Sequence, residues 1–134
     1  MHILNTDTCI LLIRGRSSSI LRRLKQCEIG SVAISSITLA ELQYGVDKSS
    51  EPSRNQAALL EFCAPLEILV FGPEAASAYG PSRASLENRG KSIGPLDTLI
   101  AAHALALSAT LVTNNEKEFR KIDRLKVENW HRTN

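Results

Sequence analysis

The run Gly94-Pro95-Leu96-Asp97-Thr98-Leu99-Ile100-Ala101-Ala102-His103-Ala104-Leu105-Ala106-Leu107 leads, through Ser108 and Ala109, into Thr110-Leu111-Val112-Thr113 and then Asn114-Asn115-Glu116-Lys117-Glu118-Phe119. From Leu96 to Leu107 it is apolar nearly all round, which predicts a helix buried on most of its sides. Thr110 to Thr113 is a short aliphatic and β-branched stretch and predicts a strand. A buried helix running straight into a buried strand belongs to an α/β architecture, with this helix central to it.

Outward from that segment the same pattern repeats. His2 to Leu4, Val32 to Ser35 and Ile68 to Phe71 predict further strands, with a fifth near Val127. Helix-length patterns cover Thr8 to Arg14, Ser18 to Cys27, Thr38 to Asp47, Arg54 to Cys63, Glu74 to Asn88, and a short piece from Glu116. Gly30, Gly72-Pro73 and Gly94-Pro95 punctuate these elements, and Lys48 to Ser53 predicts a polar loop. Strands separated by helices predict a three-layer α/β/α domain over residues 1–134, with a parallel sheet of four or five strands.

Bulk properties narrow the class. A chain of 134 residues with 43% hydrophobic and 22% charged residues can bury a core and is far from disordered compositions. A formal charge of +2 is too small to hold nucleic acid by charge alone. Cys9, Cys27 and Cys63 are scattered, odd in number and without a CxxC pair, so neither disulfides nor zinc are expected. The start has no basic n-region, and no apolar run approaches the ~20 residues that span a bilayer, so a cytoplasmic protein without a membrane anchor is expected.

The acids carry the functional signal. Asn5 and Asp7 follow the first strand, Glu41 follows the second, Asn114, Asn115, Glu116 and Glu118 follow the fourth, and Asp97 opens the buried helix. Ligands of parallel sheets bind at the carboxyl ends of the strands. Each acid also has a simpler explanation: Thr38 to Glu41 fits a capping box, Asp97 complements a helix dipole, and Asp7 could cap the helix from Thr8. Convergence favours chemistry, because carboxylates crowded at one edge without nearby Lys or Arg repel each other unless a cation joins them. An all-oxygen set suits Mg²⁺ or Mn²⁺, whose natural work here is phosphodiester hydrolysis without a protein nucleophile.

The segments LNTDTCI at Leu4, SSITLAELQYGVDKS at Ser35, and GPLDTLIAAHALALSATLVTNNEKEF at Gly94, followed by VENW, resemble the VapC-type toxins of the PIN-domain ribonucleases, in order and along nearly the whole chain. The resemblance implies a Mg²⁺- or Mn²⁺-dependent endoribonuclease of a type II toxin–antitoxin system. It further implies a homodimer, a VapB-type antitoxin partner and an RNA substrate, tRNA for some relatives. Carried over by position, it implies that Glu41 and Asp97 are acidic site residues and that Asn115 and Glu118 complete the site, with Thr6 and Asp7 as additional members.

One motif departs from the family. The usual order is Leu-Asp-Thr-Asn, whereas this chain has Leu4-Asn5-Thr6-Asp7, so Asn5 stands where the metal-binding aspartate is expected. An amide oxygen can still coordinate a cation, but that position loses a full charge. A unit pair ~4 Å apart is worth about 4 kcal/mol at an effective dielectric near 20. Even a third of that weakens binding roughly tenfold. Asp7 taking over by a local shift, a catalytically weak natural protein, and a substitution introduced to make a toxic nuclease tolerable are all compatible with the sequence. The last is preferred, since Asp→Asn removes charge while keeping shape. A non-catalytic PIN domain that binds RNA or antitoxin is the rival function, and Asn5 is its support.

Other residues weigh less. His103 lies six residues after Asp97, about 240° around the helix, and is expected to pack or to make a structural hydrogen bond. Thr6, Thr98 and Thr113 adjoin the acids, and Ser35 and Ser36 have no histidine at a spacing that suggests a nucleophile. Basic residues group at Arg14, Arg16, Arg22, Arg23 and Lys25 and again at Arg120, Lys121, Arg124 and Lys126. They could hold RNA phosphates if both groups flank the acidic edge. Aromatics are sparse, so folded RNA read by shape is favoured over base stacking. Leu39, Leu42, Val46, Leu59 and Leu60 could leave an apolar docking surface, with core packing the simpler role for Leu39 and Leu42.

Overall fold

The computed structural model describes residues 1–132. Five strands form one sheet: β1 (His2–Leu4), β2 (Val32–Ser35), β3 (Glu67–Leu69), β4 (Thr110–Val112) and β5 (Lys126–Glu128). They lie in the order β3-β2-β1-β4-β5, and every neighbouring pair is parallel. The helices are α1 (Thr6–Ile13), α2 (Ser18–Lys25), α3 (Ser36–Asp47), α4 (Pro52–Cys63), α5 (Pro73–Asn88), α6 (Pro95–Ala106) and α7 (Glu116–Phe119). All five predicted strands are present, and the parallel α/β class holds.

Because side chains alternate across a strand, the sheet feeds two cores. Leu4, Val32, Ile34 and Val112 face Cys9, Ile20, Leu42, Val46 and Leu59 from α1, α2, α3 and α4. Ile3 and Leu111 face Leu86, Ile100, Ala101, Ala104 and Phe119 from α5, α6 and α7. Helices thus cover both faces, the three-layer arrangement that a parallel sheet requires to bury its continuous apolar strands. Alanines at 101, 102 and 104 are all buried, letting α6 lie close against the sheet and α5.

Several local expectations change. Each helix from α3 to α6 starts one or two residues earlier than its apolar pattern, because Pro52, Pro73 and Pro95 occupy first-turn positions that need no N–H, while Ser35 caps α3. The cap is made by the Ser35 hydroxyl accepting from the Ile37 N–H at 3.1 Å, so Thr38 and Glu41 lie inside α3 and do not form a capping box. Asn5, not Asp7, is the residue preceding α1, and it makes no side-chain cap. The candidate docking leucines are mostly core: Leu42, Val46 and Leu59 are buried and Leu39 packs against them, leaving Leu60 exposed. Among the described residues no helix is long and apolar enough to cross a membrane, and the three cysteines are free.

The edge strand β5 is fastened by its own side chains. Glu128 accepts from Trp130 Nε1 at 2.9 Å and from Arg23 at 3.2 Å, with His2 Nε2 at 3.6 Å, while the Arg23 guanidinium lies over the buried Trp130 ring. The Trp130 hydrogen bond, then His2 and Arg23, hold the Glu128 carboxyl below its usual range. A depressed carboxylate contributes stability above its unfolded pKa and loses it as pH falls through the folded value. Stability should therefore drop as pH falls below about 4.5, and Glu128→Gln should flatten that part of the curve, as urea denaturation at stepped pH would show.

Candidate active site

The strand order creates a switch point. From β1 the chain moves outward to β2 and β3 on one side, then returns to place β4 on the other side of β1. The carboxyl ends of β1 and β4 consequently diverge into loops on opposite faces, opening a crevice between them. Asn5 leaves β1 and Thr113 and Asn114 leave β4 at that crevice, with the Asn5 N–H still bonded to Val112 O at 2.8 Å. The helices that follow β1 and β2 carry Thr6, Asp7 and Glu41 to the same edge. Asp97, in the first turn of α6, and Glu118, in α7, arrive from the opposite layer.

Two hydrogen-bonded groups organise these residues. In the first, the Thr6 hydroxyl donates to Glu41 Oε1 at 2.7 Å and lies 3.2 Å from the buried Thr38 hydroxyl, joining α1 to α3. In the second, Asp7 is the centre. It accepts from Thr8 N–H at 2.7 Å, Asn114 N–H at 3.1 Å, the Thr113 hydroxyl at 3.1 Å and Asn5 Nδ2 at 3.2 Å. Thr113 in turn accepts from Asn5 Nδ2 at 3.2 Å and Asn115 N–H at 3.0 Å. Asn5 Oδ1 is buried and has no partner, as is the case for Asn114 Oδ1.

Electrostatics mark Asp97 as the strained acid. Burial, followed by the charges of Glu41, Asp7 and Glu118, pushes its carboxyl above the usual range. Asp97 therefore feels acids from three other segments across the crevice. The arrangement also differs from a purely uncompensated acidic cluster, since Lys121 pairs with Glu118 at 2.9 Å. Glu116 turns away to Arg120 at 2.8 Å, and Asn115 contributes backbone groups to the start of α7, its side chain exposed. Among the described residues no three His, Cys, Asp or Glu side chains stand as a ready metal cluster. The buried, unpartnered oxygen of Asn5 is instead the feature that fits a hard cation, alongside an otherwise all-oxygen donor set.

Lys121 reaches the acidic edge through Glu118, but others of the basic residues lie away from it. Lys126 opens β5 at the amino edge of the sheet, and Arg14 lies at the far end of α1. Arg124 and Lys126 instead line a groove of about 510 Å³ with Arg89 and Asp123, behind the sheet edge that holds the acids.

His103 is buried and shares a 2.8 Å hydrogen bond between Nδ1 and Ser35 Oγ, with its ring edge-on to Phe71 at 5.5 Å. The structural role expected for it holds, and the bond was not foreseeable, since its partners are 68 residues apart. It ties α6, which carries Asp97, to the cap of α3, which carries Glu41.

A parallel sheet whose switch point gathers acids from four segments defines the class of PIN domains, and the PIN domain family model matches residues 5–125. Within that class the chain belongs to the VapC family. It is 45% identical over 131 residues to Ribonuclease VapC2 of Rickettsia felis, covering 97% of this chain and 98% of that protein. It is 38% identical over 128 residues to the tRNA(fMet)-specific endonuclease VapC of Shigella flexneri, covering 96% of both. A chain in the crystal structure of R. felis VapBC2 bound to a promoter DNA fragment superposes with a TM-score of 0.92 at 45% identity, covering 96% of this chain and 98% of that one.

Burial lowers the His103 pKa, so the folded protein holds this ring neutral. A histidine with a depressed folded pKa contributes stability that is present above its unfolded value and is lost as pH falls towards the folded one. The thermal midpoint should decline as pH drops below about 6.5, and His103→Gln, which can still bond Ser35, should remove that dependence. A midpoint curve for His103→Gln that parallels the native one would show that another group titrates there.

Proposed function

We propose that this chain is an endoribonuclease toxin that hydrolyses RNA phosphodiesters with Mg²⁺ or Mn²⁺, and that its RNA substrate is a tRNA. The observation that carries the proposal is the meeting of Glu41, Asp97 and the free amide oxygen of Asn5 at the switch point of a VapC-family fold. The relatives' names support the reaction and the substrate class. The VapBC complexes among the similar structures support a VapB-type antitoxin as partner. A homodimer and action in the cytoplasm go with this reading.

In it, Asn5, Asp97 and Glu41 hold the ion. A divalent cation supplies polarisation of the scissile phosphate and a lowered pKa for the attacking water. Thr6 fixes the Glu41 carboxylate by its short hydrogen bond, which spares the rotamer search of a free glutamate. Asp97 carries a carboxylate whose repulsion by its neighbours is relieved by positive charge. Glu118, partly neutralised by Lys121, and Asn115 at the start of α7 border the opposite side and assist in placing water or phosphate.

A second reading has its own observation. With Asn5 in the aspartate position and Lys121 on Glu118, fewer free carboxylates stand where a cation would be held, which favours a non-catalytic domain that binds RNA or antitoxin.

Cleavage of total tRNA in Mn²⁺ or Mg²⁺ separates the two. Asn5→Asp should raise the rate, and Asp97→Ala in that background should lower it by roughly 100-fold or more, the usual cost of losing one preorganised charged group. If Asn5→Asp remains inert on tRNA and on other cellular RNA, the binding role replaces the catalytic one.

A further inference from the structure

Asn5 and Asp7 contain the two residue types of the usual family motif in exchanged order, and the hydrogen bonds around them can run only one way. An ionised carboxylate accepts and never donates. Asp7 therefore takes protons from the Thr8 and Asn114 backbones, the Asn5 amide and the Thr113 hydroxyl. Having given its one proton to Asp7, the Thr113 hydroxyl can only accept from its other neighbours. It does so from Asn5 Nδ2 at 3.2 Å and Asn115 N–H at 3.0 Å.

Both donors of the Asn5 amide are thus committed, one to Asp7 and one to Thr113. Turning the amide over would set its carbonyl against a carboxylate and against a hydroxyl with no proton left to offer. The side chain is 3% exposed, so it has no room to leave for water. Oδ1 remains as the one polar atom of that side chain without a partner.

We propose that Asp7, directly and through Thr113, is a positioning residue that orients the Asn5 amide so that its oxygen is offered to the divalent cation, and that the exchange moves the acid two residues along without removing its charge from the pocket. This rests on the nuclease reading above. Asp7 itself, with donors from four residues around it, does not coordinate. Its charge still reaches Asp97 across the crevice.

The test is Mn²⁺ binding to the whole chain without RNA, followed by the electron paramagnetic resonance signal of free Mn²⁺, with circular dichroism to verify folding. Thr113→Val removes the relay hydroxyl without changing charge or size and should weaken binding about tenfold, as loss of a ligand-orienting partner does. Thr113→Ser should restore it. Asp7→Asn should weaken binding by about the same factor or more, and adding Asn5→Asp to Asp7→Asn should recover it to the native level or better. Native-like binding by both Thr113→Val and Asp7→Asn overturns the proposal, as does binding by Asn5→Asp where the native chain has none. If Thr113→Val does not fold, Asp7→Asn and the double exchange decide. If no variant binds Mn²⁺, Asn5→Asp included, the metal site falls together with the proposal; if Asn5→Asp binds while Asp7 and Thr113 prove indifferent, only the positioning role is lost.

Discussion

β1 has a partner strand on each side and a packed helical layer on each face, which leaves its chain only one way out: upward, at the carboxyl edge, between loops that turn to opposite faces. That topological constraint determines everything in the pocket. A three-residue strand cannot displace its ends by much, so Asn5 continues the ladder with β4 before α1 begins, and Thr113 lies within hydrogen-bond range of it. The same edge receives the first turn of α6. Its helix dipole favours an anion such as Asp97, by about 0.3–1 kcal/mol at an exposed site. The Asp97 carboxyl is nevertheless pushed upward, so burial and its acidic neighbours outweigh the dipole. An acid kept at such a cost has a use other than capping.

The two acid-bearing helices, α3 and α6, feed chiefly different cores and need a brace. Ser35 and His103 supply it. Ser35 ends β2, caps α3 through the Ile37 N–H, and makes a buried bond to His103 from the last turn of α6. A buried polar pair is worth little net stability when satisfied and costs about 1–3 kcal/mol when one partner is removed. Its effect is geometric: it ties the helix that carries Glu41 to the helix that carries Asp97. Thr6 performs the same task between α1 and α3, with an oxygen of Glu41 as the tethered atom.

Elements and acids were legible in the sequence because both are written in local patterns. The apolar run around Ile100, the β-branched stretches and the proline and glycine punctuation set the helices and strands to within a few residues. Acids immediately after predicted strands identified the edge of the sheet. What was not legible depends on contacts between distant residues. Thr38 and Glu41 carry the spacing of a capping box, yet Ser35 caps the helix three residues earlier, a choice made by where β2 ends. Lys121 reads as one of a basic run, and only the turn that follows α7 aims it at Glu118. Thr113 and Asp7 are 106 residues apart, so the convergence of donors on Asp7 follows from the strand order, which periodicity does not specify.

Losing a carboxylate and relocating one are electrostatically different events. Had Asn5 simply replaced an aspartate with nothing gained nearby, a bound cation would forfeit a contact charge and the pocket would become less acidic throughout. Here the carboxylate sits two residues along, surrounded by donors and still close enough to act on Asp97. The contact term, which falls steeply with distance, is reduced to that of an amide dipole. The longer-range term, which decays as the inverse of distance in a medium of effective dielectric near 20, survives in large part. An exchanged pair therefore weakens the hold on the ion while preserving the negative field that draws it in, and it makes position 5 the donor and position 7 the acceptor of the hydrogen bond between them. That polarity is why Thr113 matters more in this chain than its hydroxyl would suggest: with the acid at position 7, it carries the charge of Asp7 into a fixed orientation on the far side of the Asn5 amide.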